Sequence, residues 1–543
     1  MEENLSQTVG EKSKNLGKVI SDAFHELSDT FKAFIKAPKA LWGINVPYIL
    51  EGLVYFGILT ILGKFSSENV GLTDPQAGLV YSFVTGGITF FMLILGGVSD
   101  KIGVRNSLIV AFAAMLLGRV LIGLSGSLGL DGGLWSPMFF TLTIGLLIMV
   151  MAYGLYQPAA YAGVKRYTTP KTAAMGYAVI YGFMNLGAFF SGFISSLTRP
   201  NFVDTFPPNG LTAVFWVYAI LTGISLLATL FLLTRKNDED AVKKVKEQST
   251  IEGESEKEEE EEIQKEKINN TRLFILLAFT IAAFLLSGLG FDVSFNYKTI
   301  YYVFGQKLSY DAFFSLSLLS FIGLAVEYII KRPYHPFRDA RFSFFILILI
   351  PVQTLFAHNW LTLPYYLDRA FKGSVVSDYF EIFTNINPIL IFVLAPIVAG
   401  LTARANVYKM MIYGTIVMAL PTFLLTIGPN MYLFLLYVLI MTIGEAMWQP
   451  RFLQWIAEVA PKGMVGLYMG VGQFPWFLTK VITGFYSGWF LMQYVPRDVS
   501  PADMNTGTMW FIYGMIAIVS PIGLILARKW MLKGFKVKHE DIK

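Results

Sequence analysis

Two carboxylates lie inside stretches that are otherwise apolar: Glu51 within Asn45–Leu62 and Glu445 within Met431–Met447. An ionisable group in a helix that crosses lipid costs a few kcal/mol, so such groups face a cavity and mark a pathway. A carboxylate there can take up a proton or hold an ammonium, and both are chemistry for moving a solute. The neighbours widen the possibilities. Tyr48, Glu51 and Tyr55 recur at three- and four-residue spacing on one helical face, as do Tyr153, Gln157 and Tyr161, and again Met441, Glu445, Trp448 and Phe452. Ring faces at that spacing could attract a cation, or they could be plain helix packing. His358 could titrate near neutral pH in a proton relay, or simply hydrogen-bond a neighbour. Arg119 could pair with Glu51, and Arg451 could snorkel to the membrane surface.

The elements that must carry these residues follow from composition. Of 543 residues, 54% are hydrophobic and 15% charged, where soluble globular chains run at about 45–50% and 25%. Runs of roughly 20 apolar residues repeat along the chain, the pattern of a polytopic helical membrane protein. Gly17–Ile35 spaces its apolar residues on one face, as an amphipathic surface helix does. Spans are expected at 41–63, 77–98, 107–127, 138–164, 172–197 and 211–234. Eight more are expected at 272–291, 309–331, 341–366, 378–403, 407–427, 431–459, 464–491 and 508–531. Window length thus gives about 14 transmembrane helices. Between the two sets lies Arg235–Thr271, with the run Glu258–Glu262, a solvated tether.

Basic residues test the count. Lys101, Arg105, Lys165, Arg166, Lys171, Lys331, Arg332, Arg528 and Lys529 fall on one side, while the loops near 128–136 and 427–431 carry none. Both termini and the acidic tether are therefore expected in the cytoplasm. The net charge of +5 is a topology signal and no footprint of nucleic acid. Met1–Lys39 is polar, so no cleavable signal is expected. With no Cys, disulfides and thiolate metal sites are excluded. No nucleophile elbow, P-loop or metal-ligand cluster is found, so an enzyme is not expected.

Gly96-Gly97-Val98-Ser99-Asp100-Lys101-Ile102-Gly103-Val104-Arg105 joins the second and third spans. It resembles the signature loop of the major facilitator superfamily, with glycines for a tight turn and Asp100, Lys101 and Arg105 as conformational groups. Thr442-Ile443-Gly444-Glu445 with Pro450 and Ala460-Pro461 resembles the tenth core helix of the proton-dependent oligopeptide transporter family. Phe383-Thr384-Asn385-Ile386-Asn387-Pro388 is similar to its eighth, Asn185-Leu186-Gly187 to its fifth, Tyr55-Phe56-Gly57 to its first, and Gly154-Leu155-Tyr156-Gln157-Pro158 to its fourth.

The resemblance implies an all-α membrane protein of the major facilitator superfamily fold. Residues 41–234 and 341–532 would be two six-helix bundles, with 235–271 the linker and 272–340 an inserted helix pair. Residues 1–40 and 533–543 would be cytoplasmic ends. It implies alternating access driven by a proton gradient, with no cofactor or metal, Glu51 and Glu445 coupling protons, and Asn185, Asn387 and Glu445 receiving a substrate amino group. Tyr48, Tyr55, Gln157, His358 and Trp448 join the candidate substrate contacts, and Asp368-Arg369 is an outer gate or a surface pair.

Departures from the pattern shape the substrate. The family's first helix reads Glu-x-x-Glu-Arg, and here Tyr48 and Gly52 flank Glu51; the fourth-helix Lys has become Gln157. A substrate carboxylate would be desolvated without its usual partners, a cost of several kcal/mol. Lys480 could supply the lost positive charge or pair with a glutamate. The expectation is a proton-coupled symporter of a small peptide-like or amine-bearing solute, a monomer in the cell inner membrane with lipid as its surroundings. An uncoupled facilitator, an exporter of a non-peptide solute and a transporter-like receptor are the alternatives.

Overall fold

The computed structural model describes all residues except 1–38, 169, 252–270, 286–297, 304–305, 333–334, 403–404, 460–467, 469–470 and 534–543. The expected amphipathic helix Gly17–Ile35, the run Glu258–Glu262 and the pair Ala460-Pro461 fall outside these residues, as does the side chain of Asp100.

The first six spans are α1 Lys39–Lys64, α2 Asp74–Ile102, α3 Val104–Ser125, α4 Pro137–Arg166, α5 Pro170–Asn201 and α6 Leu211–Leu232. A further helix, α7 Arg235–Ile251, opens the linker. It is docked rather than free at its start. Tyr167 Oη and Arg166 Nε, at the end of α4, donate to Asp238 Oδ1 over 2.8 and 3.0 Å.

The inserted pair is α8 Thr271–Leu285 and α9 Ala312–Ile330. Thr280 Oγ1 and Ser320 Oγ join them at 2.8 Å. A β-hairpin precedes the second helix and takes the start of its expected span: β1 Lys298–Val303 pairs antiparallel with β2 Gln306–Asp311, with Val303 opposite Gln306. Everything that builds the bundles is helical.

Proline interrupts the later spans. Where 341–366 reads as one segment, the chain forms α10 Ala340–Leu347, α11 Ile350–Leu361 and α12 Leu363–Ala370, with Pro351 and Pro364 in the first turns after each break. Proline has no N–H to continue a ladder and fits the first turn. A single turn, α13 Val375–Asp378, and the short α14 Phe380–Thr384 precede α15 Ile386–Leu401. Then come α16 Val407–Ala419 with a 3₁₀ extension to Ile427, α17 Met431–Val459, α18 Phe474–Tyr494 and α19 Thr506–Leu532. Nine helices among the described residues are long and apolar enough to cross a membrane, and three shorter apolar helices add to them.

The described residues divide into two compact units. The larger draws on Met1–Lys257, Leu349–Trp455 and Phe474–Arg528; the smaller on Glu258–Ile348, Ile456–Gln473 and Lys529–Lys543. In the larger unit, α1 packs on α5 and α6, α3 on α4 and α6, and α11 on α18. The two sets of helices meet where α2 crosses α18 and where α5 meets α14 and α15. Glycine makes the first crossing close: a Cβ on Gly78 would stand 2.6 Å from the Gly484 carbonyl oxygen. Gly103, between α2 and α3, holds φ +81°, a left-handed turn that glycine adopts without strain.

Candidate functional site

Glu51 on α1 is 2% exposed and fully engaged. Arg119 on α3 donates through Nη1 to its Oε2 at 2.8 Å and through Nη2 to its Oε1. Tyr153 on α4 donates to the same Oε1 and accepts from Arg119 Nη2 at 3.0 Å. Arg119 also reaches Thr222 on α6. One forked ion pair therefore ties four helices of the first bundle, the geometry at which Arg outperforms Lys. The pairing of Arg119 with Glu51, open in the sequence, is made.

Gly52 explains why the family's positive patch is missing at this position. α5 crosses α1 here so closely that a Cβ on Gly52 would lie 2.9 Å from the Met184 carbonyl oxygen, and one on Gly187 2.6 Å from Leu53 N. A Gly52→Arg variant should lose stability by about 1–3 kcal/mol from overpacking. A lowered melting temperature with no gain in binding of acidic substrates is the expected result; unchanged stability would show that α5 yields easily.

Glu445 on α17 is 4% exposed and has a different environment. Asn387 on α15 donates through Nδ2 to Glu445 Oε2 at 2.8 Å and to Thr442 Oγ1 at 2.9 Å. Among the described residues no cation lies within ion-pair distance of Glu445. Gly444 sets this depth by packing on α16, where its Cβ would meet the Gly414 carbonyl oxygen at 2.7 Å. Asn185, the other amide, turns back to donate to the Tyr181 carbonyl at 3.0 Å. The structure therefore brings Asn387 and Glu445 together and leaves Asn185 apart.

Rings line both glutamate sites. Tyr48 stacks on Tyr156 at 5.8 Å, and Tyr55 meets Tyr153 edge-on at 5.3 Å. Trp448, one turn from Glu445, stacks on Trp476 of α18 at 6.3 Å and donates to Met418 Sδ. Gln157 is half-buried on the α4 face that also carries Tyr153. His358 is fully buried, with Nδ1 2.7 Å from Thr362 Oγ1, Nε2 3.0 Å from the Tyr486 hydroxyl and its ring stacked on Tyr513 at 3.7 Å. Hydroxyls thus meet both ring nitrogens, and neither glutamate is among its partners.

At the end of the bundles opposite Lys101 and Arg105, charges clasp the two halves together. Lys64 pairs with Asp368. Arg369 forks onto Asp74 at 2.8 and 3.1 Å and donates to the Val495 carbonyl at 2.9 Å. Arg199 meets the fully buried Glu381 at 2.8 Å, where Ser195 and Ser196 also donate. Sequence reasoning found Asp368 and Arg369 and missed Lys64, Asp74, Arg199 and Glu381. Their signal was opposite charges at the ends of spans beside loops otherwise poor in Lys and Arg. At the other end Arg105 donates to the Leu233 carbonyl at 2.8 Å and Lys101 is exposed.

An Asp74→Asn variant strips a buried cation of its carboxylate and should loosen this clasp. Since the chain has no Cys, a single Ser487→Cys substitution, at a position 1% exposed, reports the opening cleanly. An impermeant maleimide should leave it unlabelled when Asp74 is intact and label it when Asp74→Asn is combined with it. Equal protection in both would show that the pair does not hold the ends shut.

Comparison with known proteins places this geometry. The model of the Major Facilitator Superfamily matches residues 46–376. The curated dipeptide and tripeptide permease A of Pectobacterium carotovorum subsp. carotovorum (strain PC1) is 21% identical over 513 residues, 90% of each chain. Among solved structures, a peptide transporter POT in complex with sulfate superposes with a TM-score of 0.61 at 17% identity, over 91% of this chain and 95% of that one. A bacterial homologue of the human drug peptide transporters superposes with a TM-score of 0.62 at 17% identity, over 91% and 99%. The fold, two six-helix bundles with an inserted pair, is shared with these structures.

Proposed function

The chain belongs to the Major Facilitator Superfamily, and from that premise we propose that this multi-pass membrane transporter moves a small amine-bearing, peptide-like solute coupled to protons. The observation that carries the reading is the unequal setting of the two carboxylates. Glu51 already has its counter-ion, Arg119. Glu445 is buried with one neutral donor, Asn387, so a substrate ammonium or a proton completes it. The resemblance of 90% of the chain to a dipeptide and tripeptide permease supports a peptide-like solute.

Symport needs a proton on a group other than the one that binds the ammonium. Glu51 is the second candidate acid, and taking a proton means giving up Arg119 and Tyr153, so symport through it requires this clamp to open during the cycle. The completeness of the clamp favours a second reading, exchange, in which Glu51 stays paired and proton and amine alternate on Glu445. With the termini in the cytoplasm of a cell inner membrane, as the basic loops imply, the clasp at Asp74 and Asp368 is an outer gate and the structure is closed outside.

Proteoliposomes under an imposed pH gradient test coupling. Alanylalanine or its amide should accumulate, and a protonophore should abolish the accumulation. Uptake that ignores the protonophore would instead make the protein a facilitator.

A further inference from the structure

Lys480 is an intramembrane cation that nothing above uses. Arg119, Arg199, Arg369 and Lys64 each face a carboxylate. Lys480, in the second turn of α18, has no hydrogen bond or ion pair among the described residues, and it is half-buried. A lysine on a lipid-facing surface would snorkel, yet its position on the helix excludes that. The lipid face of α18 carries Ile482 at 43% exposure and Met492 at 50%. At 100° per residue Lys480 lies on the opposite side, in the stripe of Trp476, Phe477, Thr483 and Gly484. Phe477 approaches Gly86 of α2, Gly484 approaches Gly78, and Thr483 is fully buried. The partial exposure of Lys480 is therefore an opening between the helix sets.

Its depth matches that of Glu445. Trp476 and Trp448 stack at 6.3 Å and 15° and mark one level on α18 and α17. Lys480 stands four residues beyond Trp476, about 6 Å along the axis, and Glu445 three residues before Trp448, about 4.5 Å. The two helices run in opposite directions, so both charged groups sit on the same side of the indole pair.

We propose that Lys480 is the anion-recognition group of this transporter, receiving a carboxylate of the solute on the second bundle while Asn387 and Glu445 receive its ammonium. This rests on the proposed amine reading of Glu445 and adds the substrate's other end. The positive charge absent at Gly52 and Gln157 is supplied from the facing side. The solute class is then a small zwitterion whose ammonium and carboxylate lie over the Trp448–Trp476 pair.

Thermal protection of the purified full-length protein tests it with three probes: alanylalanine, alanylalanine amide and N-acetylalanine. The wild type should bind alanylalanine about tenfold more tightly than the amide, the worth of one charge-assisted bond. Lys480→Gln, or Lys480→Met should the first variant fold poorly, should bring the two within about twofold and leave the affinity for the amide unchanged, and Lys480→Arg should keep the preference. N-acetylalanine, which lacks an amine, should protect the wild type and not the Lys480→Gln variant. An undiminished carboxylate preference in Lys480→Gln, or no protection of the wild type by N-acetylalanine, overturns the assignment. Failure of the amide alone to protect the wild type would remove the amine reading of Glu445 and leave the Lys480 site standing.

Discussion

Arg119→Leu should be the most damaging single substitution in the first bundle, lowering stability by about 3–5 kcal/mol, because it leaves a buried carboxylate without its counter-ion. Glu51 has no route to water at 2% exposure, and Tyr153 alone would remain to it. Glu51→Gln should cost less than Arg119→Leu, since the glutamine keeps a hydrogen-bonding oxygen for Arg119 and Tyr153. The double variant Glu51→Leu with Arg119→Leu should recover much of the loss, as replacing a buried ion pair by apolar side chains often does. Melting in detergent measures all three, and adding the single Glu51→Leu closes the cycle that gives the coupling directly. Arg119→Lys should not rescue, because an ammonium cannot make the forked contact with Glu51 and still reach Thr222. A small effect of Arg119→Leu would show that water enters the site and that the clamp is weak.

Glu445→Gln is expected to leave folding almost intact and to remove amine binding. Asn387 can donate to an amide oxygen as it does to the carboxylate, and it keeps its bond to Thr442. The substrate ammonium would lose its anion, about 1.5–3 kcal/mol, or roughly ten- to a hundredfold in Kd. Accumulation driven by the pH gradient should fall to the level of empty liposomes. If binding of alanylalanine amide survives in this variant, Glu445 is a structural acid and the amine is held elsewhere.

The bundles were legible because lipid imposes one rule on every span, about 20 apolar residues in a helix. The order of spans and the linker position follow from that rule and from composition, whereas the signature loop at Gly103 was read from its resemblance to the superfamily's. What the sequence hid were tertiary choices. Whether Arg119 on α3 meets Glu51 on α1 depends on how two helices rotate against each other, which periodicity alone does not set. The loss of the first-helix Arg reads as a missing charge in the sequence, whereas the structure shows a packing reason for it: the Met184 backbone lies against Gly52. Asn185 shows the same dependence on rotamer: its motif resembles a substrate-binding one, and in this structure its amide donates to its own helix at Tyr181. The broken seventh span was foreshadowed by Pro351 and Pro364, but window hydropathy smooths over such breaks, and the hairpin Lys298–Asp311 falls mostly in the connection between two expected spans, to which hydropathy assigned no element.

The most direct test of the central claim is to record proton movement and amine uptake together, with a pH-sensitive dye inside proteoliposomes holding wild-type protein or Glu445→Gln. The account predicts that alanylalanine amide moves protons in the wild type and moves none in the variant. The sign then separates the two modes: protons entering with the amine mean symport through an opened Glu51 clamp, and protons leaving mean exchange on Glu445. Wild-type proton movement in Glu445→Gln would contradict the account outright.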